Sequence, residues 1–100
     1  MQAPDLDEKT KKKIIDTISA LIPDTKIYLF GSRARGTHSE WSDIDIVLDA
    51  GHELALRSVG ESNDVMAALS IAYVVQIVDF YKVSKAMQQS IVKDKVIWKA

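Results

Sequence analysis

Three aspartates and a glycine–serine pair carry most of the chemistry available to this sequence. Asp43 and Asp45 flank Ile44, and Ile46, Val47 and Leu48 follow. In an extended strand, positions i and i+2 point to one face. The two carboxylates then lie side by side, with Ile44 and Ile46 turned toward a core. Like charges held this close repel one another. A hard divalent cation relieves the repulsion, and oxygen ligands of this kind suit Mg²⁺. For an isolated Asp-x-Asp, a solvated strand edge is the plainer alternative. Asp79 lies in Gln76-Ile-Val-Asp-Phe80, an apolar setting where a carboxylate is costly unless it is paired or ligates a metal. If its strand runs beside that of Asp43 and Asp45, the three carboxylates converge; otherwise Asp79 marks a strand end.

The second piece is Leu29-Phe30-Gly31-Ser32, followed by Arg33-Ala34-Arg35-Gly36. Glycine permits close backbone approach to a ligand and unusual dihedrals. Ser32 is expected at the N-cap of a short helix, where backbone N–H groups favour an anion. Arg33 and Arg35 add charged donors suited to phosphate oxygens. No Gly-Lys-Ser/Thr ending follows, so this is not a Walker A loop. Taken alone, the segment also reads as an ordinary strand-to-helix turn.

The surrounding pattern supplies the elements that position these residues. Ile14, Ile15, Ile18, Leu21 and Ile22 fall at helical spacing and predict a helix from Asp7 to Ile22, stopped by Pro23. Asp7 is its expected cap. Ile27 to Phe30 predicts a buried strand, and Thr37 to Ser42 a polar loop. A second strand carries Ile44, Ile46, Val47 and Leu48 and ends by Gly51. A helix is expected from about His52 to Leu69, although Gly60 interrupts it at a cost of about 1 kcal/mol relative to alanine. Tyr73 to Phe80 predicts the strongest strand. Ser84 is expected to cap a last helix to about Lys93, with a short strand possible from Val96 to Trp98. The order α-β-α-β-α-β-α predicts an α/β (α+β) fold, a small mixed sheet flanked by helices.

Length and composition bound the possibilities. One hundred residues suffice for one small domain, expected to span 1–100. With 47% hydrophobic and 27% charged residues, intrinsic disorder is disfavoured. The chain has no cysteine, which excludes thiolate metal sites and cysteine nucleophiles and fits a reducing cytoplasm. A formal charge of −1 argues against a strongly basic nucleic-acid binder. No apolar run is long enough for a membrane span, and the acidic N-terminus lacks the order of a signal peptide.

Together the pieces form a pattern. Gly31-Ser32, the ten residues from Arg33 to Ser42, and Asp43-x-Asp45 resemble the polymerase-β-like nucleotidyltransferase superfamily. The small size, Gly31-Ser-Arg-Ala-Arg-Gly36 and Asp79 in a Val-x-x-x-Asp strand are similar to its minimal nucleotidyltransferase branch. The resemblance runs from about Ile14 to Phe80. It implies the nucleotidyltransferase fold, with Asp43 and Asp45 ligating two Mg²⁺ ions. Asp79 would complete the site beside the attacking hydroxyl. Gly31 and Ser32 would hold the β- and γ-phosphates, and Arg33 and Arg35 match basic positions of the branch. No added domain of the kind with which larger members grip a base or a polymer end is expected in these 100 residues. In the minimal branch that deficit is met by a partner, typically a small all-α HEPN protein for which the chain acts as antitoxin. The implied reaction is transfer of AMP from ATP to a hydroxyl of that partner. The alternative is a non-catalytic antitoxin that neutralises a HEPN ribonuclease by contact.

The remaining polar residues have plainer roles. His38 and His52 lack ligand spacing. Trp41 is expected to pack over its loop rather than stack on a base. Lys9, Lys11, Lys12 and Lys13 read as a solvated helix face. Trp98 and Ile97 fit either a core or an interface.

Overall fold

Hydrophobic periodicity and chain breakers set the elements, which are seen here in a computed structural model describing residues 8–37, 42–69, 71 and 73–100. Helix α1 (Glu8–Leu21) buries Ile14 and Ile18 and ends just before Pro23, as the spacing predicted. Its expected cap, Asp7, lies outside the described residues. Strand β1 (Lys26–Phe30) runs directly into α2 (Gly31–Arg35), which Gly36 closes in the left-handed conformation at φ 78. Strand β2 (Ile44–Asp49) follows, then α3 (Leu56–Ala68) and β3 (Val75–Asp79). Helix α4 (Lys85–Asp94) is capped by Ser84, whose hydroxyl accepts the Met87 N–H at 3.1 Å. Strand β4 (Val96–Lys99) closes the series, so the expected order holds and the short strand read at Val96 to Trp98 is formed.

The four strands form one mixed sheet in the order β3-β2-β1-β4. β1 is antiparallel to both β2 and β4, whereas β2 and β3 are parallel. A parallel pair needs a crossover connection, and α3 provides it. One face of the sheet carries the main core. Ile27 and Leu29 of β1, Ile44, Ile46 and Leu48 of β2, and Ile77 of β3 pack there against Ile14, Ile18 and Met66 of α1 and α3. The other face is thinner. Tyr28 and Val47 pack against Ile91 of α4, flanked by Phe30, Phe80 and Val83. Asp45 alternates with Ile44 and Ile46 and therefore belongs to this second face, at the end where β1 leaves for α2. Among the described residues, no helix is long and apolar enough to cross a membrane.

Candidate active site

The site begins where β1 ends. Phe30 pairs with Asp45 across the β1–β2 ladder, and the chain then turns at Gly31, φ 77. A Cβ at Gly31 would collide with the Asp45 carboxylate. Glycine is thus required twice, for the positive φ and for the approach to Asp45. The close approach that glycine permits here is to the Asp45 carboxylate. Ser32 is not the helix N-cap. Phe30 holds that position without a side-chain cap, and Ser32 lies within the first turn, where its carbonyl accepts the N–H groups of Gly36 and Thr37.

Asp43 and Asp45 are adjacent, as strand alternation predicted. Asp43 is exposed and Asp45 partly buried. Burial pushes the Asp45 carboxyl above its ordinary range, the charge of Asp43 adds to this, and Arg35 opposes it. Gln76 of β3 pairs with Asp45, and its Nε2 donates to Asp43 Oδ2 at a long 3.4 Å. The carboxylate pair is therefore bordered by Gly31 on one side and an amide on the other.

The expected convergence with Asp79 does not occur. β3 does lie beside β2, but Asp79 pairs with Leu48, on the main-core face. It stands three residues beyond Gln76, about 10 Å along the strand. There it is 2% exposed. Its carboxylate accepts the N–H of Leu54 at 2.7 Å and that of Tyr81 at 2.9 Å. Asp79 thus joins the chain before α3 to the turn after β3. Alternation explains the outcome: in this register Gln76 and Val78 share the face of Asp45, and Asp79 cannot. Among the described residues, no group of three or more His, Cys, Asp or Glu side chains comes together.

The two arginines also part ways. Arg33 is 4% exposed; its Nε donates to the Ser42 carbonyl at 3.0 Å, and its guanidinium lies 4.7 Å from the Tyr73 ring centre. It braces the chain just before Asp43. Arg35 is half-exposed and faces Asp94 of α4 at 3.7 Å, close enough to Asp45 to oppose the rise in its pKa.

This geometry, a glycine turn pressed against paired carboxylates at the end of a mixed sheet, can be set against known proteins. A model of the nucleotidyltransferase domain matches residues 11–98. The chain belongs to the nucleotidyltransferase domain family. Among solved structures, a toxin–antitoxin crystal structure with AMP-PNP contains a chain 32% identical, with TM-score 0.75, covering 90% of this chain and 73% of that one. A tri-AMPylated HEPN toxin in complex with its MNT antitoxin, from Shewanella oneidensis, gives 27% identity and TM-score 0.73, covering 95% and 74%. A MntA–HepT toxin–antitoxin structure gives 27% and 0.71, covering 94% and 74%. No curated protein matches. The resemblance drawn from Gly31-Ser32 and Asp43-x-Asp45 is thereby borne out, as is the mixed α/β fold.

Two features of this nucleotidyltransferase were not read from the sequence. Gln76 has no charge to draw notice, and only the β2–β3 register reveals it. A second cluster lies at the other end of the Asp45 face. There the Tyr28 hydroxyl donates to Asp49 Oδ2 at 2.8 Å. Burial, then Asp49, pushes the Tyr28 phenol up to about 12. Burial alone would raise Asp49, but the Tyr28 hydroxyl and the Gly51 N–H hold it below its ordinary range. His52 Nδ1 lies 2.9 Å from the carbonyl of its neighbour Glu53. Lys12 pairs with Asp16 in solvent, as expected of a solvated helix face, whereas Lys11 is half-buried over the Trp98 ring. His38 and Trp41 lie outside the described residues.

Proposed function

We propose that this nucleotidyltransferase transfers AMP from ATP to a side-chain hydroxyl of a HEPN-type partner protein, and so acts as an antitoxin. The observation that carries the reading is the contact between the Gly31 turn and Asp45, with Asp43 beside it. It sets a backbone suited to phosphate approach directly against a carboxylate pair. The nearness of AMP-PNP-bound and AMPylated toxin–antitoxin structures supports the nucleotide and the partner.

Asp43 and Asp45 fit Mg²⁺. Asp45 is raised by burial and by Asp43, so the pair gains from a cation. Mg²⁺ is commonly held by one or two carboxylates with substrate phosphates and water completing its shell. When bound, it would polarise the α-phosphate and stabilise charge on the departing oxygen. Gly31 and Ser32 would border the β- and γ-phosphates, and Arg35 is the exposed guanidinium near the pair. Arg33 would act indirectly, by holding the segment that carries Asp43. In the reaction the acceptor hydroxyl loses its proton, its oxygen bonds the α-phosphorus, and the bond from that phosphorus to the β-bridging oxygen breaks. Pyrophosphate leaves, and the proton passes to solvent.

A second reading, neutralisation by contact alone, is favoured because no third carboxylate joins the pair among the described residues. Intact-mass spectrometry decides between them. Incubated with this chain, ATP and Mg²⁺, the HEPN partner should gain about 329 Da per AMP, the nucleotide less water. No added mass, with growth still rescued by an Asp43→Asn chain, would establish the contact reading.

A further inference from the structure

We propose that Gln76 is the third polar residue of the carboxylate site, a positioning residue that holds Asp43 through its amide and leaves divalent-cation binding dependent on the nucleotide's phosphates. The inference deepens the reading above and rests on it. Its basis is the β2–β3 register. Gln76 pairs with Asp45, so the two side chains share a face, and the Gln76 amide reaches Asp43 at 3.4 Å. The same register removes Asp79 to the opposite face, where two backbone N–H groups occupy its oxygens. The place nearest the pair on β3 is thus filled by a neutral group.

The chemistry of an amide there differs from that of a carboxylate in two ways. Its N–H₂ donates to Asp43, which steadies a carboxylate that a third negative charge would repel. Its carbonyl oxygen can face a cation but adds no charge to the site. Two carboxylates and an amide attract a divalent ion less strongly than three carboxylates, since affinity for hard cations rises with ligand charge. The negative charge still required comes with the triphosphate. Cation and nucleotide therefore enter together, and the nucleotide-free protein holds the cation weakly.

The test uses Mn²⁺ as probe, followed by electron paramagnetic resonance on the purified chain without turnover. Mn²⁺ alone should bind weakly to the wild type and at least about tenfold more tightly with AMP-PNP present. Gln76→Glu should raise the affinity for Mn²⁺ alone by about tenfold and shrink the AMP-PNP dependence. Gln76→Ala, which frees Asp43, should weaken Mn²⁺ binding in the presence of AMP-PNP by about threefold, and an unchanged affinity there would overturn the positioning role. Gln76 is exposed, so these variants should fold, and circular dichroism checks this. If Gln76→Glu leaves Mn²⁺ affinity unchanged while Asp45→Asn abolishes binding, the site stands and the role of Gln76 is overturned. If Asp45→Asn also leaves binding unchanged, the carboxylate site itself is wrong.

Discussion

Asp45 and Asp79 sit on neighbouring strands of one sheet, yet their surroundings are opposite in kind. Asp79 is 2% exposed and its oxygens accept backbone N–H groups from Leu54 and Tyr81. Asp45 is only partly buried, lies beside the like charge of Asp43, and presses on a glycine that leaves it room. A buried carboxylate with satisfied lone pairs ties chain segments together. A carboxylate crowded by another carries a repulsion that a cation, on the reading proposed above, would relieve. Strain of this second kind is characteristic of functional sites, where stability is given up for chemistry.

The sharpest way to break the comparison is to exchange charge for amide at each position. Asp45→Asn should lower AMP transfer by at least about 10²-fold, as loss of a group that stabilises transition-state charge does, with folding intact. Asp79→Asn should leave transfer per folded molecule little changed and lower the unfolding free energy instead. Transfer measured by mass spectrometry against the folded fraction separates the two. Equal loss of transfer in both variants would restore Asp79 to the site.

Removing the Asp79 side chain altogether gives the next largest effect. Asp79→Ala strands the N–H groups of Leu54 and Tyr81 and should cost about 2–4 kcal/mol in urea unfolding. Gly31→Ala should cost less in stability, about 1–2 kcal/mol from a left-handed alanine. It also drives a methyl into Asp45. A small loss of stability with a large loss of transfer is therefore the expected signature at Gly31.

These positions also mark how far the sequence could be read. Most element positions and the Asp43–Asp45 pairing were legible, because period-2 alternation and the Ile-rich helical stripe are local signals. The Ser84 cap was legible for the same reason. Asp79 was misplaced because its face depends on how β3 registers against β2, which no local pattern encodes. Gln76 was overlooked for that reason too. Arg33 looked like a phosphate donor because arginine next to Gly-Ser suits one, but helix α2 turns it inward to Ser42 and Tyr73. Burial of a charged side chain at a helix–loop junction is a tertiary fact.

The smallest effects concern pH, and here the two ends of the Asp45 face have opposite signs. Asp45 is raised in the folded state, so the fold binds its proton more readily than the unfolded chain does. Stability from this group is gained as pH falls through the raised value and is forgone at neutral pH. Asp49 is lowered, chiefly through the Tyr28 hydroxyl and Gly51 N–H acting against burial. Its contribution is present above the ordinary carboxylate range and lost as pH falls through the lowered value. Asp45→Asn should therefore be more stable than wild type at pH 7, with the gain fading as acid protonates Asp45 in the wild type. Asp49→Asn should be less stable at pH 7, with its deficit fading as pH drops below the ordinary carboxylate range. Urea unfolding of the three proteins from pH 7 to pH 3 reads both differences. Difference curves of the same sign would mean that Asp45 is stabilised by its surroundings in the way Asp49 is, and that the carboxylate pair carries no repulsion for a cation to relieve.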